Sequence, residues 1–249
     1  MIVLCTDFGN DGPYIGQMKA VLFRAAPGMP VVDLFADLPA FDIEAAAHLL
    51  AAYAVGFPRG DVFLAVVDPG VGTARSPAAV LADGRWFVGP DNGLFQVVAA
   101  RARHVRWWEI TWRPPVLSAT FHGRDLFAPI AARLACGGEP PGVEVAPARR
   151  LSPDWPAELP RIVYCDRFGN AMTGLRRRSI SAADAITVAG RRLAHAATFG
   201  AVPAGAAFWY VNANGLVEIA VNRGSAANRL GLRVGDPVHV VRADAGTTP

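Results

Sequence analysis

The chain is predicted to fold as an α/β N-terminal domain, a central and mostly parallel sheet with flanking helices, followed by a smaller all-β, barrel-like C-terminal domain. Two observations predict this. Over the first 135 or so residues, short apolar runs of the buried-strand kind alternate with stretches whose apolar residues recur at helical spacing. That alternation is the pattern of strands joined by crossover helices. Beyond a proline-rich stretch, Gly138 to Pro160, the signals are short strands. The expected organisation is an α/β domain over 1–138, a linker over 139–160 and a β-barrel domain over 161–243.

The elements follow in order. Ile2 to Cys5 is a short buried strand, and Tyr14 to Ala25 carries apolar residues at helical spacing. Val31 to Leu34 reads as a second strand and Ile43 to Val55 as a second helix. Val62 to Val67 is a continuous apolar run stopped by Asp68-Pro69-Gly70, the signature of a strand buried on both faces. Trp86 to Val88 and His104 to Ile110 are further strands, with a helix over Leu94 to Ala102 between them. Leu126 to Cys136 is a helix ended by Gly137-Gly138. Pro140, Pro141, Pro147, Pro153, Pro156 and Pro160 then rule out a continuous helix. Strands are expected at Arg161 to Cys165, Ala185 to Val188, Phe208 to Val211, Leu216 to Val221 and Val238 to Val241. Asn212-Ala213-Asn214-Gly215 is a hairpin turn between two of them. Ser225 to Leu230 reads as one short helix, and the last six residues as a frayed tail.

Composition excludes several classes. Hydrophobic residues make up 52% and charged residues 18%, which rules out a disordered chain of low hydrophobicity and high charge. The most apolar stretch, Ala45 to Phe57, is 13 residues and contains His48; a membrane span needs roughly 20. The apolar run at the N-terminus is too short for a signal peptide. Cys5, Cys136 and Cys165 are scattered and fit neither a disulfide framework nor a zinc site, so a reduced, cytoplasmic setting is expected. The net charge of +3 comes almost wholly from arginine, with Lys19 the one lysine and Arg176-Arg177-Arg178 the one dense cluster. A single triplet with no recognisable module is not a nucleic-acid surface; it reads as a solvated loop or a subunit contact.

Three aspartates stand at strand ends: Asp7 after the first, Asp33 within the second and Asp68 after the third. Ligands of open α/β sheets bind outside the carboxyl ends of the strands. Carboxylates there accept hydrogen bonds from ribose hydroxyls, hold a metal or activate water; each also serves as an ordinary cap of the following turn. The segment Asp68-Pro69-Gly70-Val71-Gly72-Thr73-Ala74-Arg75 is expected to make a tight turn from which Arg75 can fold back to pair with a carboxylate or stabilise an anion. It is neither a GxxxxGK[ST] phosphate loop nor a GxGxxG fingerprint. In Thr120-Phe121-His122-Gly123-Arg124-Asp125, His122 and Gly123 precede a helix, where backbone N–H groups favour negative charge. His48, His104, His195 and His239 have no partner at metal-ligand spacing, and no metal is expected. In the second domain, Asp166-Arg167-Phe168-Gly169-Asn170 offers an aromatic ring to stack on a flat ligand and an amide to read a base edge, or else an ordinary turn. Asn212 to Gly215 and Glu218 to Asn222 group further amides and a carboxylate, whose bland alternative is the hairpin itself.

Taken in order, these segments resemble the S-adenosylmethionine (SAM) hydroxide adenosyltransferases, the SAM hydrolases related to fluorinase and chlorinase. The resemblance rests on Thr6-Asp7-Phe8-Gly9 with Tyr14 to Lys19, Val67 to Thr73, Gly89-Pro90-Asp91-Asn92-Gly93, Phe121 to Asp125, Phe168-Gly169-Asn170 and Asn222 to Ala227. It implies an α/β domain, a β-barrel and a homotrimer with ligand sites between neighbouring subunits. The implied reaction is SAM plus water giving adenosine and L-methionine, with SAM as substrate and no cofactor. The family's Asp-Arg-His set falls on Asp68, Arg75 and His122, and which of them takes the proton stays open. Asp7 matches the ribose-binding carboxylate, and Asn170 and Asn222 the adenine-reading amides. Phe41, Gly123 and Phe168 fall around the ligand, Glu218 in the C-terminal binding hairpin. Ala213 departs from the usual Ser, so a contact to the methionine portion is lost or passes to backbone or water. Halogenases of the same scaffold carry Tyr at the Asp68 position and no His at the His122 position. A halogenase, a non-catalytic adenosine or SAM binder, and a metal-dependent hydrolase using Asp7, Asp33 and Asp68 are the alternative readings; neither nucleic acid nor membrane is an expected partner.

Overall fold

A computed structural model describes residues 1–243; the expected tail, the last six residues, lies outside them. The chain forms two compact units, Met1–Trp155 and the part from Pro156 onward. The first contains β1 (Ile2–Thr6), α1 (Tyr14–Ala25), β2 (Val31–Phe35), α2 (Ile43–Tyr53), β3 (Val62–Val66), β4 (Pro77–Ala82), β5 (Arg85–Pro90), α3 (Gln96–Arg101), β6 (Val105–Ile110), α4 (Ala128–Ala135) and β7 (Gly142–Val145). The strands form one sheet in the order β2-β1-β3-β5-β4-β6-β7.

The first four strands of that order are parallel. β4 runs antiparallel to both β5 and β6, and β7 antiparallel to β6. The sheet is therefore mixed, half parallel by pairing. The difference from the expectation arises at β4, for which the sequence reading has no strand. Asp83 and Gly84, both at positive φ (46° and 83°), turn β4 directly into β5, a backbone geometry whose twist suits a two-residue hairpin. β7 comes from the segment expected as linker; four of its residues pair with β6 instead.

β1 and β3 are buried on both faces, as a covered parallel sheet requires. Ile2, Leu4, Val62, Leu64 and Val66 share a core with Met18 and Leu22 of α1 and Ile130 and Leu134 of α4. Side chains alternate across a strand, so the equally buried Val3, Cys5, Phe63 and Ala65 face the other side; α2 and α3 pack against each other. Each buried Val, Leu, Ile, Phe or Met among these contributes about 1.5–3 kcal/mol. The Asp42 carboxylate accepts the Ala45 N–H at 3.0 Å and so caps α2. The consequence for function is positional: Asp7, Asp68 and Asp91 emerge together at the carboxyl ends of β1, β3 and β5.

The second unit contains β8 (Leu159–Cys165), β9 (Ala171–Arg176), β10 (Ala185–Val188), β11 (Arg191–Leu193), β12 (Ala207–Val211), β13 (Leu216–Val221), α5 (Ala226–Leu230) and β14 (His239–Val241). They make two antiparallel sheets, β12-β13-β9-β8 and β11-β10-β14. The sheets meet at both borders. Arg161 bridges to Pro237, with Ile162 N–H donating to the Asp236 carbonyl at 2.9 Å; His195 bridges to Trp209, with Ala196 N–H donating to the Trp209 carbonyl at 3.0 Å. This closure gives the barrel-like form, around a core of Ile162, Ile186, Trp209, Val217 and Ile219. Arg176 and Arg178 of the basic triplet pair with Glu158, so the cluster is partly neutralised. Among the described residues no helix is long and apolar enough to cross a membrane.

Candidate active site

Asp68 lies two residues beyond β3. The turn after it closes through Val71 N–H to the Asp68 carbonyl and Thr73 N–H to the Gly70 carbonyl, each 3.2 Å. The Thr73 hydroxyl also donates to the Gly70 carbonyl at 2.7 Å and accepts the Arg75 N–H at 3.3 Å. The chain thereby doubles back and returns Arg75 to Asp68. Arg75 Nε donates to Asp68 Oδ1 at 3.1 Å, and Nη2 donates to Oδ2, a two-pronged pair whose side chains are only 8% and 5% exposed. Nη1 reaches the Ser76 carbonyl at 3.2 Å, and the guanidinium lies over the Phe127 ring at 5.3 Å.

Arg75 Nη2 also lies 3.1 Å from His122 Nδ1. A guanidinium has no acceptor, so Nδ1 accepts and the proton of the neutral ring sits on Nε2. Burial, and then the Arg75 charge, push the His122 pKa below the usual histidine range, in agreement with that assignment. His122 is held where helical backbone begins. Gly123–Phe127 forms a wide π-type turn, closed by Ala128 N–H on the Gly123 carbonyl, that runs into α4. Helical backbone thus starts three residues before the expected Leu126, and Pro129, which lacks the N–H that would bond the Asp125 carbonyl, accounts for its irregular geometry.

Asp68 and His122 open onto a cavity of about 180 Å³ that Asp7, Tyr14, Phe41 and Gly123 also line. Asp7 Oδ2 accepts the Phe41 N–H at 3.0 Å. Burial raises the Asp7 pKa, the Phe41 N–H opposes this, and the Asp68 charge raises it further. Phe41 itself is 73% exposed at positive φ, an apolar ring held out beside the cavity. A Cβ on Gly123 would stand 3.3 Å from Met18 Sδ and 3.4 Å from the Phe8 and Phe121 rings, so the site is closely packed there and a larger residue would make its neighbours give by a few tenths of an ångström. Arg75 and His122 also border a second cavity, of about 340 Å³, which Thr73 and Arg113 line as well. Asp33 does not join the other two aspartates; it pairs with Lys19 at 2.5 Å on β2. Among the described residues no group of three His, Cys, Asp or Glu side chains is placed to hold a metal ion.

The second unit has an open cavity of its own, about 600 Å³, lined by Asp166, Phe168, Asn170, Tyr210, Glu218 and Arg223 among others. Asn170 is fixed by Asp166, which accepts its backbone N–H at 2.8 Å and its Nδ2 at 2.9 Å. Phe168, 76% exposed, stands at the tip of this turn. Glu218 is 2% exposed and accepts the Tyr210 hydroxyl at 2.6 Å and Asn212 Nδ2 at 2.7 Å. Its pKa is raised by burial, against the pull of those two bonds. Asn222 and Ala213 are not among the residues that line the cavity. Asn222 Nδ2 donates to the Val202 carbonyl at 2.7 Å, and Ala213 is exposed in the hairpin turn.

Tyr14, Tyr210 and Arg223 line the cavities although none of them is a candidate site residue from the sequence; Tyr14 and Arg223 lie within segments that carry the resemblance. Tyr210 was accessible in principle, since it stands directly across from Glu218 in the β12–β13 hairpin.

Comparison with known proteins follows the same two-part division. The model of the SAM hydroxide adenosyltransferase N-terminal domain matches residues 2–144, and that of its C-terminal domain residues 160–239. A protein of Thermus thermophilus named (R)-S-adenosyl-L-methionine hydrolase is 42% identical, over 96% of this chain and 99% of its own length. One of the same name from Salinispora arenicola is 37% identical, over 96% and 97%. The crystal structure of an uncharacterized conserved protein from Thermotoga maritima superimposes with a TM-score of 0.86 at 31% identity, over 97% of this chain and all of the other. Both units of the fold thus match the same family in order, and the chain belongs to the SAM hydroxide adenosyltransferases.

Proposed function

We propose that this chain hydrolyses S-adenosyl-L-methionine to adenosine and L-methionine by displacement at the ribose C5′ carbon. The observation that carries the reading is the Asp68–Arg75–His122 trio, assembled at the strand ends on a cavity that also contains Asp7. An oxygen lone pair of water forms the O–C5′ bond while the C5′–S pair departs on sulfur, leaving methionine as a neutral thioether. One water proton is released. Hydroxide and sulfonium annihilate charge as they react, so a dry pocket favours the charge-dispersed transition state over the separated ions.

Each member of the trio has a distinct task in this reading. Asp68 gives one lone pair of each oxygen to Arg75 and keeps others with which to orient the water and accept its proton. Arg75 stands behind it as a fixed positive charge that stabilises developing hydroxide. His122, neutral with Nε2–H, donates to the same oxygen rather than acting as a base. Asp7 holds the ribose hydroxyls; Phe41 and the Gly123 backbone bound the ligand. Phe168, Asn170 and Glu218 of the second unit receive the adenine end. Asn222 supports that pocket through Val202, and Ala213 leaves any contact there to backbone or water. The assembly is a homotrimer in which the first unit of one subunit faces the second unit of its neighbour, which gives each of the two open cavities a complement. The three cysteines are free thiols, which suits the cytoplasm.

Incubation of the purified chain with SAM is expected to release adenosine and methionine in equal amounts. Adenosine binding without turnover would reduce the protein to a binder; 5′-halo-5′-deoxyadenosine in the presence of chloride or fluoride would make it a halogenase.

A further inference from the structure

The turn from β5 into α3, Gly89 to Gly93, braces the trio from behind at two adjacent residues. Asn92 Nδ2 donates to the carbonyl of Val67, the residue immediately before Asp68, at 2.9 Å, while its Oδ1 accepts the Leu94 N–H at 3.3 Å. The Asp91 backbone N–H donates to the Ser76 carbonyl at 2.9 Å, and that same oxygen receives Arg75 Nη1 at 3.2 Å. The brace is itself anchored. Ser76 Oγ donates to Glu109 Oε1 at 3.2 Å, and Arg150 ties Glu109 to Asp91, reaching Asp91 Oδ2 at 3.2 Å. The registered pairing of β3 ends at Leu64 on the β5 side and at Val66 on the β1 side. Past that point the sheet no longer directs the chain, and the Asn92 amide fixes its course into Asp68.

We propose that Asn92 is a positioning residue for hydrolysis, acting through the Val67 carbonyl to hold Asp68, and with it Arg75, in line with the attacked carbon. The inference rests on the hydrolase reading above. Asn92 is not among the residues lining the cavity, so it acts on geometry and not on substrate affinity. A misplacement of about 1 Å in a catalytic group costs on the order of 10²-fold in rate.

The test is a double-mutant cycle on the full chain, with SAM turnover read from adenosine release. Asn92→Ala is expected to lower kcat about 10- to 100-fold with KM within about threefold. In an Asp68→Ala background the same change is expected to cost less than about threefold, because the residue it positions is already gone. Asn92→Asp keeps the size and the acceptor for Leu94 but has no donor for Val67; it gives the same reading should the alanine variant fail to fold. An equal loss in both backgrounds, a loss confined to KM, or an unimpaired Asn92→Ala beside an active wild type would overturn the positioning role alone. A wild-type chain that leaves SAM intact would overturn the hydrolase reading and this inference together.

Discussion

His122 holds its place beside Arg75 only while Nδ1 is unprotonated. Protonation would set two cations 3.1 Å apart and remove the acceptor that orients the ring. A histidine whose pKa is depressed in the folded state contributes stability that is present above its unfolded value, near 6.5, and is lost as pH falls through the folded value. Activity has the same sign: kcat should be flat above about pH 6.5 and drop on the acid side below it. His122→Asn leaves an oxygen for Arg75 but nothing to titrate there, so its profile should lose that acid limb at a lower plateau. A pH–rate profile whose acid limb persists unchanged in the variant would assign the limb to another group. Much of this geometry was legible in the residues. Asp68 and Arg75 are joined by Pro69, Gly70 and Gly72, which leaves a short loop little choice but to fold back. The order in which His122 joins them was not, since it comes from a helix start 47 residues away. Its neutral state was legible still less, because that follows from which nitrogen meets the guanidinium.

Among the elements, the turn Asp166–Asn170 shows how tightly local structure is tied to the cavity-lining residues. Gly169 has φ of +81°, and a Cβ there would lie 1.9 Å from Ser225 Oγ, at the cap of α5. Its carbonyl accepts the Ala227 N–H at 2.8 Å, so turn and helix are locked together. Gly169→Ala is expected to destabilise the protein by roughly 1–3 kcal/mol through backbone strain and overpacking. Because Phe168 and Asn170 flank it, adenosine affinity should fall in parallel. Urea denaturation and calorimetric binding read the two effects, and unchanged values for both would refute the locking. The elements legible in the sequence are those with a continuous or periodic apolar pattern: α1 and β13 fall on the residues expected, Tyr14–Ala25 and Leu216–Val221. β4, β9 and β11 escaped because they are short, small-residue or basic segments whose strand character comes from their neighbours. Asp83-Gly84 was the one local signal that announced β4.

For the whole molecule, the sequence order already separated an alternating half from a strand-only half, and the two compact units divide at Trp155–Pro156, inside the proline-rich stretch. Sheet order was out of reach, because β4, joined to β5 by the local Asp83-Gly84 turn, also pairs with β6, and that pairing is encoded by no local pattern. The proposed trimer is tested directly: light scattering should give a particle of three 26.3 kDa chains, and a monomer active at full rate would remove the need for a neighbour's second unit. The mixed sheet has a further consequence, for what the chain must avoid while folding. Unlike the barrel, it ends in two outer strands, β2 and β7. Each carries a charge held by a neighbouring cation: Asp33 by Lys19 at 2.5 Å, Glu144 by Arg106 at 2.7 Å. A foreign strand docking on either border would have to strip water from an ion pair, which is how natural sheets refuse to template aggregates. Asp33, read from the sequence as a possible ligand, thus guards the border of the sheet against the wrong kind of growth.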